Sequence, residues 1–167
     1  QKENINGIRV IRVWTYITEN NGFIKRSIDY ISYAVTSFLF GLFIKTDLII
    51  ATSPQFFTAI SGRMLSVFKR VPWVLEVRDL WPDSIVAVGL MNKNSKLFRL
   101  LKKIEHHLYL RASKIVVVTN SFKDYIIKEH QIKPEKVGVF KNGVIMNNLK
   151  KPKSNDVITL KESLGLK

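Results

Sequence analysis

The sequence predicts an α/β fold, a parallel sheet flanked by helices, and three observations carry that prediction. Short β-branched runs alternate with longer helix-like ones, the connections between them are short and polar, and Lys114 to Val118 is β-branched almost throughout. Strands and helices in alternation are the pattern of crossover-connected parallel strands. A continuous β-branched run predicts a strand covered on both faces. With 167 residues, the chain is long enough for one domain with a real core.

Each element has its own signal. Ile8 to Trp14 (IRVIRVW) alternates as a strand, with Ile8, Val10 and the stem of Arg12 on one face. Phe23 to Phe43 has helical length and no proline. The longest uncharged run, Tyr30 to Ile44, is 15 residues, short of the roughly 20 that span a bilayer. It predicts a buried or surface-docked helix. Asp47 to Ala51 is a short apolar strand, and Ser53-Pro54 starts a helix to about Lys69, with proline at its first position. Pro72 to Val77 is the next strand, broken by Trp81-Pro82. Asn94-Ser95 caps a helix to about Arg111, Lys114 to Val118 is a strand, and Thr119-Asn120-Ser121 caps a helix through Glu129. Lys136 to Phe140 is a last strand before an Asn142-Gly143 turn. Residues 1–149 therefore form the domain, and the polar, lysine-rich 150–167 reads as a linker.

Composition bounds the chemistry. Apolar residues are 46% and charged residues 24%, as in ordinary globular proteins and unlike disordered ones. The absence of cysteine excludes disulfides, thiolate metal sites and cysteine nucleophiles, and fits a reducing compartment. The only histidines are His106, His107 and His130. Adjacent histidines on a helix diverge, so the first two are surface or groove residues and no metal site is expected. Lys and Arg number 27 against 13 acidic residues, a formal +14. That points to nucleic acid, an anionic membrane face or phosphorylated substrates, or to a merely basic proteome. No secretory signal is expected before the first strand, and a start at Gln1 reads as a fragment.

Ligands of an open α/β sheet sit at the carboxyl ends of the strands. The loops there are Thr52 to Gln55, Arg78 to Asp83, Thr119 to Ser121 and Asn142 to Val144, all polar. Candidate site residues are thus Asp79, Arg78, Asp83, Ser53, Gln55, Asn120, Asn142 and Gly143. Asp79 could position a hydroxyl and take its proton; alternatively it accepts backbone N–H bonds in a turn while Arg78 pairs with Glu76 or Asp83. Glu76 reads as a paired structural charge. Thr119-Asn120-Ser121 is an ordinary N-cap or a phosphate seat. No GxGxxG or GxxxxGK[ST] element supports nucleotide binding. Lys93 to Lys114 holds seven Lys/Arg and one Glu. Leu97, Leu100, Leu101, Ile104 and Leu108 make one helical face, and Lys96, Arg99, Lys102 and Lys103 mostly occupy the other. Such a helix suits an anionic membrane surface. No recognised nucleic-acid module accompanies it.

VLEVRDLWPDSIVAVG, LKKIEHHLYLRASKIVVVTNSFKDYI and KPEKVGVFKNGV, in this order, resemble the acceptor-side half of a family 4 glycosyltransferase, in the subgroup that builds capsule, O-antigen and related surface polysaccharides. The resemblance covers nearly the whole chain. It implies a Rossmann-like N-terminal half of a two-domain GT-B fold, with the nucleotide-sugar donor held mainly by a C-terminal half outside this chain. GIRVIRVWTY is similar to the family's third strand region, which implies that the preceding strands are missing too. Arg78-Asp79 stands where many relatives carry His-Asp, so only the aspartate role carries over. Asn142-Gly143-Val144 matches the end of the acceptor half, with Gly143 supplying a turn, and Ser121 matches a capping serine. The implied activity is a retaining transfer without metal or cofactor. The implied acceptor is a polyprenyl-diphosphate-linked saccharide, met at the inner face of the cytoplasmic membrane. Two other readings stay open: a non-enzymatic module binding acceptor or membrane, and a nucleic-acid-binding domain.

Overall fold

The structure, a computed structural model, describes residues 1–17, 23–53, 56–143 and 161–165. It opens with a β-hairpin, β1 (Lys2–Ile5) and β2 (Ile8–Ile11), antiparallel and separate from the main sheet. Asn6 and Gly7 make its two-residue turn with φ of 50° and 82°, the left-handed pair that an Asn-Gly hairpin supplies. The predicted strand from Ile8 to Trp14 is therefore half a hairpin. Arg12 still bonds across the hairpin to Gln1, and beyond it the chain turns to α1 (Phe23–Leu42): Thr36 Oγ1 donates to the Trp14 carbonyl at 2.7 Å, and the Tyr16 amide to Ser32 Oγ at 2.8 Å.

Four parallel strands follow in the order of the chain: β3 (Ile49–Ser53), β4 (Trp73–Val77), β5 (Lys114–Val117) and β6 (Val137–Val139). Between them run α2 (Phe56–Lys69), α3 (Asp83–Ala87), α4 (Lys96–Arg111) and α5 (Asn120–His130), and a 3-10 turn at Pro134–Lys136 leads into β6. Ser53 ends β3 and does not start the helix; residues 54–55 lie outside the described ones, so proline at its first position stays an expectation. Ser95 caps α4, its Oγ accepting from the Phe98 amide at 3.0 Å. Thr119 caps α5 through the Phe122 amide at 3.2 Å, so Ser121, exposed in the first turn, has no capping role.

The core takes alternate strand residues: Trp73, Leu75 and Val77 of β4, and Ile115 and Val117 of β5, which are fully buried. Leu101, Leu108 and Tyr109 of α4, Ala59 of α2 and Ile126 of α5 meet them. The opposite set, Val74, Val116 and Ile50, is only partly buried or exposed. The expectation that 114–118 is covered on both faces therefore fails among the described residues; β-branching there fills one packed face. Helix α1 packs on α2. Phe38 meets Phe68 edge-to-face at 5.5 Å, and Lys69 Nζ caps the end of α1 by donating to the carbonyls of Leu42 and Ile44, each at 2.8 Å. No helix among the described residues is long and apolar enough to cross a membrane.

Candidate acceptor-side crevice

The register brings the polar loops to one level. Ser53 pairs with Val77, Val77 with Val117, and Val117 with Val139. Because the strands are parallel, the segments that leave them start side by side along one edge: Arg78 to Asp83, Val118 to Asn120 and Phe140 to Gly143. Arg78, Asp79, Asn120, Asn142 and Gly143 are brought to that edge, as expected. Gln55 and Val144 lie outside the described residues.

Asp79 stands two residues past the end of β4, half-buried. Among the described residues its carboxylate accepts no hydrogen bond; only its backbone carbonyl is engaged, by the Trp81 amide at 3.2 Å. The turn reading, in which backbone N–H groups tie down this carboxylate, is not what the structure holds. Arg78 is exposed with no carboxylate partner among the described residues. Glu76, expected as a paired charge, instead accepts from the neutral hydroxyl of its register partner, Thr52 Oγ1, at 2.7 Å and makes no ion pair among the described residues. Beneath the loop lies a cavity of about 20 Å³ lined by Ser53, Asp79, Trp81, Glu105 and Tyr109, among others. That is room for one water and no larger ligand. Ser53 is buried and lines this cavity from within, out of reach of an acceptor on the surface. Gly143 is exposed and has no positive φ; the turn expected there runs into residues outside the described ones.

Asp83 faces inward. It begins α3, behind the cis Trp81-Pro82 peptide, with Trp81 stacked on Phe56 at 5.9 Å. Its Oδ2 accepts from Lys102 Nζ at 2.9 Å and from the Tyr125 hydroxyl at 2.8 Å. Burial alone would push its carboxyl up, but those two bonds outweigh it and hold the carboxyl below its ordinary value. Lys102 was expected on the solvated face of its helix. It points into the protein, bonded also to the Tyr125 hydroxyl at 3.0 Å and paired with Glu105 at 2.5 Å. Burial would lower the ammonium's pKa; the bonds to Glu105, Tyr125 and Asp83 raise it instead. Burial and the Asp83 bond push the Tyr125 phenol up to about 12, against the lowering bond from Lys102. Lys96, Arg99 and Lys103 do face outward, around Leu100.

Glu105 is the residue that sequence reasoning missed. It is 2% exposed and accepts from the Tyr109 hydroxyl at 3.1 Å; His130 Nε2, itself buried, lies 3.4 Å away. The available signal was its spacing: the one acidic residue of a basic helix falls four after Leu101 and three before Leu108, on the packed face. That face is Phe98, Leu101, Glu105, Leu108 and Tyr109, while Leu97 and Leu100 of the expected apolar face are about half exposed. His106 and His107 are exposed, as expected. Among the described residues no group of three or more His, Asp or Glu could hold a metal ion.

Residues 1–147 match the family model for Glycosyltransferase Family 4. The chain is 37% identical over 46 residues to a probable glycosyltransferase, WbjE, of Pseudomonas aeruginosa, a stretch covering 28% of this chain and 12% of that protein. Its fold is similar to that of HepE from Anabaena, solved in complex with UDP-glucose, with a TM-score of 0.56 at 19% identity. That likeness covers 87% of this chain and 35% of the other, so the chain spans about a third of the relative it resembles in structure.

Proposed function

The chain belongs to Glycosyltransferase Family 4, and from that membership we propose that it is the acceptor-binding part of a retaining glycosyltransferase. The enzyme takes a sugar from a nucleotide-sugar and adds it to a lipid-linked saccharide in bacterial surface polysaccharide synthesis. In that reaction the acceptor hydroxyl oxygen bonds to the anomeric carbon of the donor. The bond from that carbon to the diphosphate breaks, and its electron pair leaves on the diphosphate. Asp79 aligns the hydroxyl and takes or shares its proton, with Arg78, Asn120 and Asn142 beside it along the sheet edge to meet sugar hydroxyls.

The observation that supports this reading is the Asp79 carboxylate, set at the carboxyl end of a parallel strand and accepting no hydrogen bond among the described residues. A carboxylate left without donors beside a ligand crevice has its lone pairs available to a substrate. In the full-length enzyme, Asp79→Asn keeps the volume and removes the charge. We expect kcat/KM to fall about 100-fold or more with the melting temperature unchanged. Activity close to that of the unaltered enzyme would remove Asp79 from the mechanism.

Peripheral attachment at the inner face of the cytoplasmic membrane is the second part of the reading. Supporting it are the outward cations Lys96, Arg99 and Lys103 and the half-exposed apolar residues Ile28, Ile31, Val35 and Leu39 along one side of α1.

A further inference from the structure

The Arg78 to Asp83 loop is held from below by side chains of two helices distant in sequence. Lys102 Nζ lies 2.9 Å from Asp83 Oδ2, 3.0 Å from the Tyr125 hydroxyl and 2.5 Å from Glu105 Oε2. Two of these contacts are hydrogen bonds, to Asp83 and Tyr125; the third is an ion pair with Glu105 Oε2, a buried oxygen that accepts no hydrogen bond among the described residues. The Tyr125 hydroxyl closes a triangle by donating to the same Asp83 oxygen at 2.8 Å. Glu105 anchors the assembly: its side chain is 3% exposed, the Tyr109 hydroxyl donates to its Oε1, and the buried His130 ring lies beside it without a hydrogen bond. Glu105 and Tyr109 also line the one-water cavity under Asp79 and Trp81. One group of side chains thus bonds the far end of the loop and forms the floor beneath its middle.

Such an arrangement is an odd way to gain stability. A largely buried ion pair roughly breaks even against apolar residues of the same volume, whereas directed hydrogen bonds within a polar network favour one geometry. Packing alone would leave the loop free to slide over an apolar surface; two directed hydrogen bonds and an ion pair at one ammonium do not. We propose that Lys102, seated on Glu105, is a positioning residue that sets the place of the Arg78–Asp83 loop and so aims the Asp79 carboxylate at the acceptor. The loop-positioning half of this stands on geometry alone. The effect on transfer rests on the Asp79 reading above.

The test is carried out on the full-length enzyme, with Lys102→Met and, as the milder variant, Tyr125→Phe, which removes one bond to Asp83 and keeps the ring. Amide exchange is followed at Trp81 and Ser84, whose N–H groups bond the Asp79 and Leu80 carbonyls, against the amides of β4 as internal reference. No substrate is needed for this arm. Lys102→Met should speed exchange at Trp81 and Ser84 at least tenfold and leave β4 unchanged, with Tyr125→Phe moving the same way by less. In the activity arm, well below the melting temperature, Lys102→Met should lower kcat about tenfold or more while the donor KM stays constant. Unchanged exchange in the loop, or acceleration equal in loop and strand, overturns the positioning role in either variant. A loosened loop together with an Asp79→Asn enzyme of normal activity leaves the positioning standing and overturns the Asp79 mechanism.

Discussion

Asp79 and Asp83 stand four residues apart and meet opposite environments. The carboxylate of the first accepts no hydrogen bond among the described residues; that of the second accepts two, one from an ammonium. Asp83, which the sequence offers as a lip residue of the crevice, keeps 32% of its side chain exposed yet turns its carboxylate to Lys102 and Tyr125. Nothing within reach along the chain announces its partners, because Lys102 and Tyr125 are 19 and 42 residues away. A consequence concerns pH. The folded pKa of Asp83 lies below its unfolded value, about 3.9, once the opposing effect of burial is overcome by its two bonds. The stability it adds is therefore complete above that unfolded pKa and is lost as pH falls through the folded one. Asp83→Asn should lower stability by about 1–3 kcal/mol at neutral pH. The gap from the unaltered protein should stay flat from about pH 8 to pH 5 and close below about pH 4. Thermal melts across that range check it, and a gap that persists unchanged into strong acid would show that the charge is irrelevant.

At the scale of elements, most of the fold was readable because each helix and strand carries a local signal. Ser95 and Thr119 cap where the sequence says they do, and every strand of the main sheet lies within two residues of its expected bounds. The failures came from pairing, which is not local. Asn6-Gly7 is a hairpin signal, but one strand of that hairpin is charged and lacks apolar alternation. In α4, apolar residues at 97, 98, 100, 101, 104 and 108 fit more than one face; the burial of Glu105 by Lys102, Tyr109 and His130 decides among them. A close approach that no pattern reveals lies between α2 and β3. A Cβ on Gly62 would sit 2.5 Å from the Ala51 Cβ, closer than real Cβ atoms come. Gly62→Ala should therefore force helix and strand apart and destabilise the protein by about 1–3 kcal/mol, despite alanine's better helix propensity. Adding Ala51→Gly should recover a large part of the loss. Denaturant midpoints for the two single variants and the pair decide it; additive losses would mean that the two positions do not meet.

For the whole molecule, the formal +14 and the apolar exposure on α1 and α2 raise the same question of what lies outside. Ile28, Ile31, Val35 and Leu39 recur three or four apart, so they form one stripe; Met64, Val67 and Phe68 of α2 are also exposed. Between the helices runs a groove of about 210 Å³ lined by Ile31, Val35, Phe38, Phe57, Ile60 and Met64, among others. Charge and apolar area predict different salt behaviour at a membrane. Coulombic attraction fades within a Debye length of about 8 Å at physiological ionic strength, and burial of apolar surface does not. Each basic residue near an anionic bilayer contributes about 1 kcal/mol, so Lys96, Arg99 and Lys103 changed together to Gln should weaken binding to phosphatidylserine vesicles about 100-fold at low salt. Lys102 belongs to the interior network and is left intact, which keeps the comparison free of misfolding. Val35→Ser with Leu39→Ser should remove the part of the binding that survives high salt. Vesicle sedimentation over a salt series reads both effects. Binding untouched by the three Gln changes would take α4 off the membrane, and binding that vanishes with salt in the unaltered protein would take the α1 stripe off it.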